Sequence, residues 1–202
     1  MHPRRLMTVL AVVLALPLAG CITSQTDFFA DEPGATPLPE AFILISKDAE
    51  KPEGGRVFRD GDYYVAVEDD DAAVYRLHAL DGTDGTYFVG IDRDFDGVGA
   101  NYALVRITGR ELVMIGVDSD WLEADRGKDS NDLSFTFDFD DRDELLAMFR
   151  RAASQVETRA DWIEDDSSFR IFDLADGAQK EEGERLLAEA RKLREQREQE
   201  QE

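Results

Sequence analysis

Three aspartates alternate in the stretch FVGIDRDFDG, and they form the pattern in this chain that is most typical of metal chemistry. Calcium loops of twelve residues need oxygen ligands at positions 1, 3 and 5, glycine at position 6 and a bidentate glutamate at position 12. Asp92, Asp94, Asp96 and Gly97 meet the first four requirements, but position 12 is Ala103. The sequence therefore predicts an acidic turn here, and a shorter calcium loop is the alternative.

Nucleophilic catalysis has few candidate side chains in this sequence. The motifs Gly-x-Ser-x-Gly and His-Glu-x-x-His are absent. Once residues 1–20 are removed, His78 is the one remaining histidine, and it falls within a predicted strand. A pair of catalytic carboxylates is defined by its spatial separation, so no spacing identifies one among the 45 acidic residues. We therefore predict no catalytic residue and expect a protein that is not an enzyme.

The N-terminal segment MHPRRLMTVLAVVLALPLAGC has the organisation of an export signal. Arg4 and Arg5 give it a basic start, and an apolar run follows over residues 6–18. That run is shorter than the roughly 20 residues that a membrane-spanning helix needs. The sequence therefore predicts a cleaved signal peptide over residues 1–20.

The end of this signal, Leu18-Ala19-Gly20-Cys21, resembles the lipobox of bacterial lipoproteins, in which small residues precede a cysteine. The resemblance implies that signal peptidase II cuts between Gly20 and Cys21. It also implies that the Cys21 sulfur carries diacylglycerol through a thioether, with a further acyl chain on the new amino group. Because Ile22 rather than aspartate follows the cysteine, the resemblance implies an outer-membrane anchor, with the protein facing the periplasm.

The chain is strongly acidic, with a formal net charge of −22 over 202 residues. Removal of residues 1–20 takes away two arginines and no acid, which leaves 21 basic and 45 acidic residues and a net charge of −24. Such a field repels nucleic acid and anionic lipid and attracts cations. Cys21 is the one cysteine, so an internal disulfide is excluded. We expect no nucleic-acid partner.

The elements that must position these residues fall into three segments after the signal. Residues 21–40 contain three prolines and predict a lipidated cysteine followed by a flexible tether. Residues 41–177 contain short apolar runs separated by Asp-Gly turns, which predicts a mainly antiparallel β domain. Its form is expected to be a meander, a small barrel or a sandwich, with an αβ element. Residues 178–202 predict a C-terminal helix and a charged tail.

One helix is predicted inside the β domain, over residues 141–153. Asp141 and Glu144 have capping-box spacing, with aspartate in place of serine or threonine at the cap. Apolar residues then recur at helical spacing through Leu145 and Phe149. Together with the preceding strand, LSFTFDF, this helix forms the predicted αβ element.

An internal repeat strengthens the prediction of a meander. GDYYVAVEDD at 61–70 matches GTYFVGIDRD at 85–94, and MIGVDSD is a third, shorter copy. The repeat predicts successive antiparallel hairpins whose acidic turns lie at one end of the sheet. It also places Ala66, Gly90 and Gly116 at equivalent, crowded positions.

These patterns lead to three functional hypotheses. The first is a membrane-anchored envelope lipoprotein that is non-catalytic and acts through contacts with an envelope protein partner. The second is a calcium-stabilised binding module that uses Asp92, Asp94 and Asp96. The third is an envelope hydrolase in which two facing carboxylates lie in unlike surroundings.

Overall fold

The computed structural model describes residues 21–48, 53–68, 71–93, 100–126, 136–159, 162–163 and 167–200. The strands in these ranges are β1 (Cys21–Ser24), β2 (Ala41–Ser46), β3 (Gly54–Asp60), β4 (Tyr63–Glu68), β5 (Asp71–Ala79), β6 (Tyr87–Arg93), β7 (Ala100–Thr108), β8 (Glu111–Ile115), β9 (Thr136–Asp138) and β10 (Ser168–Asp173). The helices are α1 (Ser119–Arg126), α2 (Arg142–Ala153) and α3 (Gly177–Glu200), with a 3-10 turn at Val156–Thr158.

Eight of the described strands form a closed antiparallel barrel. Strands β2 to β8 pair in chain order, and β10 closes the ring because it pairs with both β8 and β2. Outside the ring, β1 pairs with the edge of β7 beside β8, and β9 pairs with β1 in parallel. The prediction of a mainly antiparallel β domain is confirmed, and its form is the small barrel.

Two-residue turns join β3 to β4 and β7 to β8, and each turn begins with a glycine. Gly61 has a φ of 60° and Gly109 a φ of 58°. This left-handed conformation, which side chains disfavour, gives tight hairpins a twist that matches their strands. The Asp-Gly turn predicted at Gly61 is confirmed.

The two long copies of the internal repeat form the β4–β5 and β6–β7 hairpins, as the sequence predicts. Both copies place their small residue on the inner face of the barrel, at Ala66 and Gly90. The third copy differs, because β8 ends at Ile115 and Gly116 lies in the connection to α1. The backbone N–H of Gly116 donates to the carbonyl of Trp162 at 2.9 Å. Gly116 is therefore not equivalent to the other two, and that part of the prediction is wrong.

Alternation along the strands divides the apolar side chains between the lumen and the outer face. The outer faces of β6, β7 and β8 pack against α2, Trp162 and Phe139 in the largest core. The outer faces of β2 and β10 pack against Leu187 of α3 in a smaller one. The outer face of β3 to β5 carries exposed apolar side chains at Phe58 and Val74.

Helix α2 begins where the sequence predicts. The backbone N–H of Glu144 donates to the Asp141 carboxylate at 2.9 Å, which satisfies one of the free donors of the first turn. Leu145, Met148 and Phe149 are buried against the barrel. The capping signal and the apolar stripe therefore fix both the start of this helix and the face it buries.

Helix α3 lies across β2 and β10, and Gly183 is where it comes closest to the barrel. A Cβ atom on Gly183 would lie 2.8 Å from the Cβ of Phe172 and 3.3 Å from Cδ1 of Ile43. The missing side chain therefore lets the helix backbone approach the sheet. Of the helices in the described ranges, none has a stretch long and apolar enough to pass through a membrane.

Residues 21–40 differ from the flexible tether that their composition predicts. Phe29 is 1% exposed and Leu38 is 7% exposed, because both side chains pack onto the barrel. Arg76 on the outer face of β5 donates to the backbone carbonyls of Phe29 and Glu32. Prolines and polar residues thus make the segment irregular in conformation, but tertiary contacts hold it in place.

Candidate functional site

The lumen of the barrel is a candidate site in the described part of the chain, and its lining is mainly apolar. Each of the eight barrel strands contributes residues to its lining, and the inward side chains of β2 to β8 follow at every second position. This arrangement follows from strand geometry, because successive side chains point to opposite faces of the sheet. Barrels of eight strands have an interior that side chains either fill or leave open for one small ligand.

One end of the lumen is filled, and we call it the closed end. Leu38 lies there with Phe42 and Tyr64, in a cluster that also contains Leu77. The backbone N–H of Leu38 donates to the Tyr64 hydroxyl at 3.1 Å. Burial raises the pKa of Tyr64, so the phenol stays protonated at neutral pH. The segment before β2 therefore closes this end of the barrel.

Towards the other end, small residues line the lumen and leave a cavity of about 120 Å³. The small residues are Gly55 on β3, Ala66 on β4, Gly90 on β6 and Ala103 on β7. Larger side chains at these positions would fill the space. The cavity is therefore a consequence of the small size of these inward side chains on β3, β4, β6 and β7.

Gly90 is tighter than the other small positions. A Cβ atom there would lie 3.0 Å from Cγ2 of Val105, closer than most Cβ contacts. The prediction of a crowded position is confirmed for Gly90. Ala66 lines the same cavity.

Three polar residues form a row along neighbouring strands in the part of the lumen away from the closed end, and we call them the polar row. Tyr75 on β5 is directly opposite Asp92 on β6, which is directly opposite Asn101 on β7. All three line the cavity. Directly opposite residues have Cβ atoms about 5 Å apart, so the polar row is compact.

The electrostatics of the polar row favour a neutral phenol beside a carboxylate. Burial, with a further contribution from the Asp92 charge, raises the pKa of Tyr75 above its ordinary value. Tyr75 therefore remains protonated at neutral pH and keeps an O–H that can donate. Asp92 and Asn101 supply acceptor oxygens, and Asn101 supplies an amide donor as well.

The predicted metal residues are only partly within the structure. Asp92 lies on β6 and lines the lumen. Asp94, Asp96 and Gly97 lie outside the described residues. In the part of the chain that the structure describes, no group of three or more His, Cys, Asp or Glu side chains is placed to hold a metal ion. Calcium binding by these aspartates stays a prediction.

The residues of the predicted anchor lie at the start of the described chain. Cys21 is the first residue of β1, where it is directly opposite Thr136 of β9. Gly20 lies outside the described residues. The lipidation and cleavage of Cys21 stay predictions, but the structure adds that the cysteine begins a strand of the folded domain.

His78 lies on the outer face of the barrel, away from the lumen. Its ring packs against that of Phe29, with centroids 4.4 Å apart and the ring planes tilted by 38°, and its Nδ1 is 3.5 Å from Glu32. Burial lowers the pKa of His78, although the Glu32 charge opposes this effect. The imidazole packs the segment before β2 onto β5, and it has no hydroxyl or thiol beside it in these contacts.

A second cleft lies over the outer edges of β6, β7 and β8 and contains Asp84, Arg106 and Glu111. Hydrogen bonds from Thr86 hold the pKa of Asp84 below its ordinary value. A hydrogen bond from Lys47 does the same for Glu111. A glycosidase-type acid needs a raised pKa, so these two carboxyl groups give no support to the hydrolase hypothesis.

The sequence contained a partial signal for the lumen. The repeat singled out Ala66 and Gly90, which are small residues within otherwise bulky strands. Gly55 and Ala103 carried no such signal, because neither lies in the matched part of the repeat. Tyr75, Asp92 and Asn101 lie next to one another because of the register of β5, β6 and β7. The sequence alone did not give this register.

The chain matches no protein family, no curated protein and no solved structure.

Proposed function

We propose that this protein is a non-catalytic, lipid-anchored binding protein of the bacterial cell envelope, and that its barrel takes one small apolar molecule. The observation that carries the proposal is the cavity of about 120 Å³ beside Ala66 and Gly90. Close-packed interiors contain few voids larger than a water molecule. A cavity lined mainly by apolar side chains with a few polar groups has the character of a ligand site.

The anchor belongs to the same proposal. Leu18-Ala19-Gly20-Cys21 supports attachment through lipid on Cys21, with the outer membrane as the destination and the periplasm as the compartment. Two or more acyl chains make such attachment stable, whereas one chain binds a membrane only marginally. The barrel would then present its lumen from the membrane surface.

The volume of the cavity sets the size of the test ligand. An engineered apolar cavity of about 150 Å³ holds benzene, so the lumen is of a size for a single ring. We expect toluene to stabilise the protein, by about 2.7 kcal/mol at 100 times its dissociation constant. Ala66→Leu places a larger side chain in the cavity and should abolish this stabilisation. The measurement is thermal unfolding with and without toluene.

Ala72→Leu is the matched control, because Ala72 lies on the adjacent strand and faces outward. It introduces the same side chain without entering the lumen, so its response to toluene should equal that of the unchanged protein. An unchanged protein that gains no stability from saturating toluene would contradict the proposal. So would an Ala66→Leu variant that responds as fully as the control.

A second candidate function, contact with an envelope protein partner, is favoured by the outer face of β3 to β5. Phe58 is directly opposite Val65, which is directly opposite Val74. Phe58 is 41% exposed and Val74 is 44% exposed. An aligned row of this kind, on the barrel face that the described helices leave uncovered, is typical of a surface that binds another protein.

Site-specific crosslinking tests this second function. A photoreactive residue at Val67, which is 37% exposed beside the same row, should crosslink to one envelope protein in intact cells. Lys192 is the control position, because it is exposed on α3. The surface formed by Phe58, Val65 and Val74 binds no protein partner if position 67 gives no protein adduct. The same conclusion holds if position 67 gives only the adducts that position 192 also gives.

A further inference from the structure

The polar row can bind a polar group of a ligand, because it places one carboxylate inside a mainly apolar cavity. Tyr75, Asp92 and Asn101 are successive neighbours across three strands, and all three line the cavity. We propose that the lumen selects small apolar molecules that carry a protonated amine, with the amine held at Asp92. This inference rests on the proposed function, since it names the ligand class of the same site.

The position of the amine follows from where the lumen carries polar groups. The remaining lining residues in the described chain are apolar, with the exceptions of Tyr64 and Tyr102. The Tyr102 hydroxyl donates to the carbonyl of Thr26 and accepts from the backbone N–H of Phe28, both at 3.1 Å. The Tyr64 hydroxyl already interacts with the backbone of Leu38 at the closed end. Burying a polar group without a hydrogen bond costs several kcal/mol, so a ligand must bring its polar end to the polar row.

The sign of the charge follows from the chemistry of the row. Asp92 is acceptor-only when ionised, and the Asn101 carbonyl is a second acceptor. A charge-assisted hydrogen bond to a carboxylate is roughly twice as strong as a neutral one. A ligand carboxylate would meet the Asp92 charge, and the net charge of −22 repels anions over the whole surface. The row therefore favours a cation.

Tyr75 contributes to this selection without being charged itself. A tyrosine phenol is uncharged at neutral pH, since its ordinary pKa is about 10, so it adds no second negative charge. Its oxygen lone pairs can still accept a hydrogen bond from an ammonium group. One ammonium with three donors can thus be shared among the carboxylate, the phenol and the amide carbonyl.

Three probes of one size separate the contributions of the ring and the head group. Benzylamine, toluene and benzoate each carry one benzene ring, and their heads at neutral pH are cationic, apolar and anionic. We expect benzylamine to bind most tightly, toluene next and benzoate least. Titration calorimetry in a buffer that contains EDTA gives the three dissociation constants and keeps divalent metal ions out of the comparison.

Asp92→Asn removes the charge and keeps the shape of the side chain. A hydrogen bond to a charged group contributes about 1.5–3 kcal/mol, so we expect this variant to bind benzylamine at least about tenfold more weakly. Its affinity for toluene should stay within a factor of about two. Tyr75→Phe is the second variant, and it should weaken benzylamine by a few fold while it leaves toluene unchanged.

The outcomes separate the two proposals. If none of the three probes binds, the lumen is not a ligand site and the proposed function fails together with this inference. If toluene binds as tightly as benzylamine, or if Asp92→Asn weakens the two probes equally, the lumen binds ligands but does not select amines. If Asp92→Asn does not fold, Tyr75→Phe decides, and equal effects on both probes overturn the selection of an amine.

Discussion

Replacement of Arg76 by methionine should lower the free energy of unfolding by about 3–5 kcal/mol, the cost of breaking a buried ion pair from one side. Arg76 is 4% exposed, although it lies on the outer face of the barrel. Its guanidinium is 3.5 Å from the Asp27 carboxylate, whose side chain is 10% exposed. Methionine keeps an unbranched apolar stem, but it removes the countercharge of Asp27.

The same substitution also removes hydrogen bonds to the backbone. Arg76 donates to the carbonyl of Phe29, to that of Ala30 at 3.4 Å and to that of Glu32 at 3.2 Å. These bonds hold the segment before β2 against β5, where Phe29 is buried. Loss of Arg76 should therefore free this segment, and its amide hydrogens should exchange faster than those of the barrel strands.

Urea unfolding measures the effect, and Arg106→Met is the matched control. Arg106 pairs with Glu157 at 3.1 Å, but the Glu157 side chain is 82% exposed. An exposed pair contributes about 0–1 kcal/mol, so the control should change stability little. Combining Asp27→Asn with Arg76→Met should cost less than the sum of the two single changes, because the two groups interact. Equal effects of Arg76→Met and the control would show that the Arg76 contacts do not hold the segment.

Replacement of Cys21 by serine should abolish attachment to the membrane altogether. The proposed thioether needs the sulfur of Cys21, and serine cannot supply it. The unchanged protein should partition into detergent and carry lipid on Cys21, whereas Cys21→Ser should remain an uncleaved or mislocalised precursor. Mass spectrometry of the N-terminal peptide and membrane fractionation measure both results.

Folding of the barrel provides the internal comparison for this variant. The pairing of β1 with β7 begins at Ile22, opposite Tyr102, and uses backbone groups. When residues 1–20 are omitted from both proteins, Cys21→Ser should therefore unfold at the same temperature as the unchanged sequence. Thr23→Ser is the control for attachment, because it changes a nearby polar side chain of β1 and keeps the cysteine. An unmodified N-terminus at any other residue in the native protein would contradict the anchor.

The position of Cys21 gives the anchor a structural consequence. Because β1 begins at this residue, the lipid would be joined to the folded domain with no intervening tether. Residues 25–40, which composition describes as a linker, instead close the lumen through Leu38 and cover β5 through Phe29. A lipid on Cys21 would therefore hold the barrel close to the membrane surface.

The sequence by itself determined the local elements. Gly61 and Gly109 mark turns that need a left-handed backbone, and Asp141 marks the start of α2. The two long copies of the repeat determined the β4–β5 and β6–β7 hairpins. Each of these features depends on residues that are close in the chain, so propensity, capping and alternation are sufficient to predict them.

Only the tertiary structure decided how the strands close into a barrel and which side chains line its lumen. β10 lies between β2 and β8, and more than 120 residues separate it from β2 in the chain. The polar row depends on the registers of three strands, and a shift of one residue would turn Asp92 out of the lumen. The hydrogen bonds that Arg76 donates to the segment before β2 also join residues far apart in the chain. Such contacts are set by the joint packing of distant segments, which no local pattern in the sequence encodes.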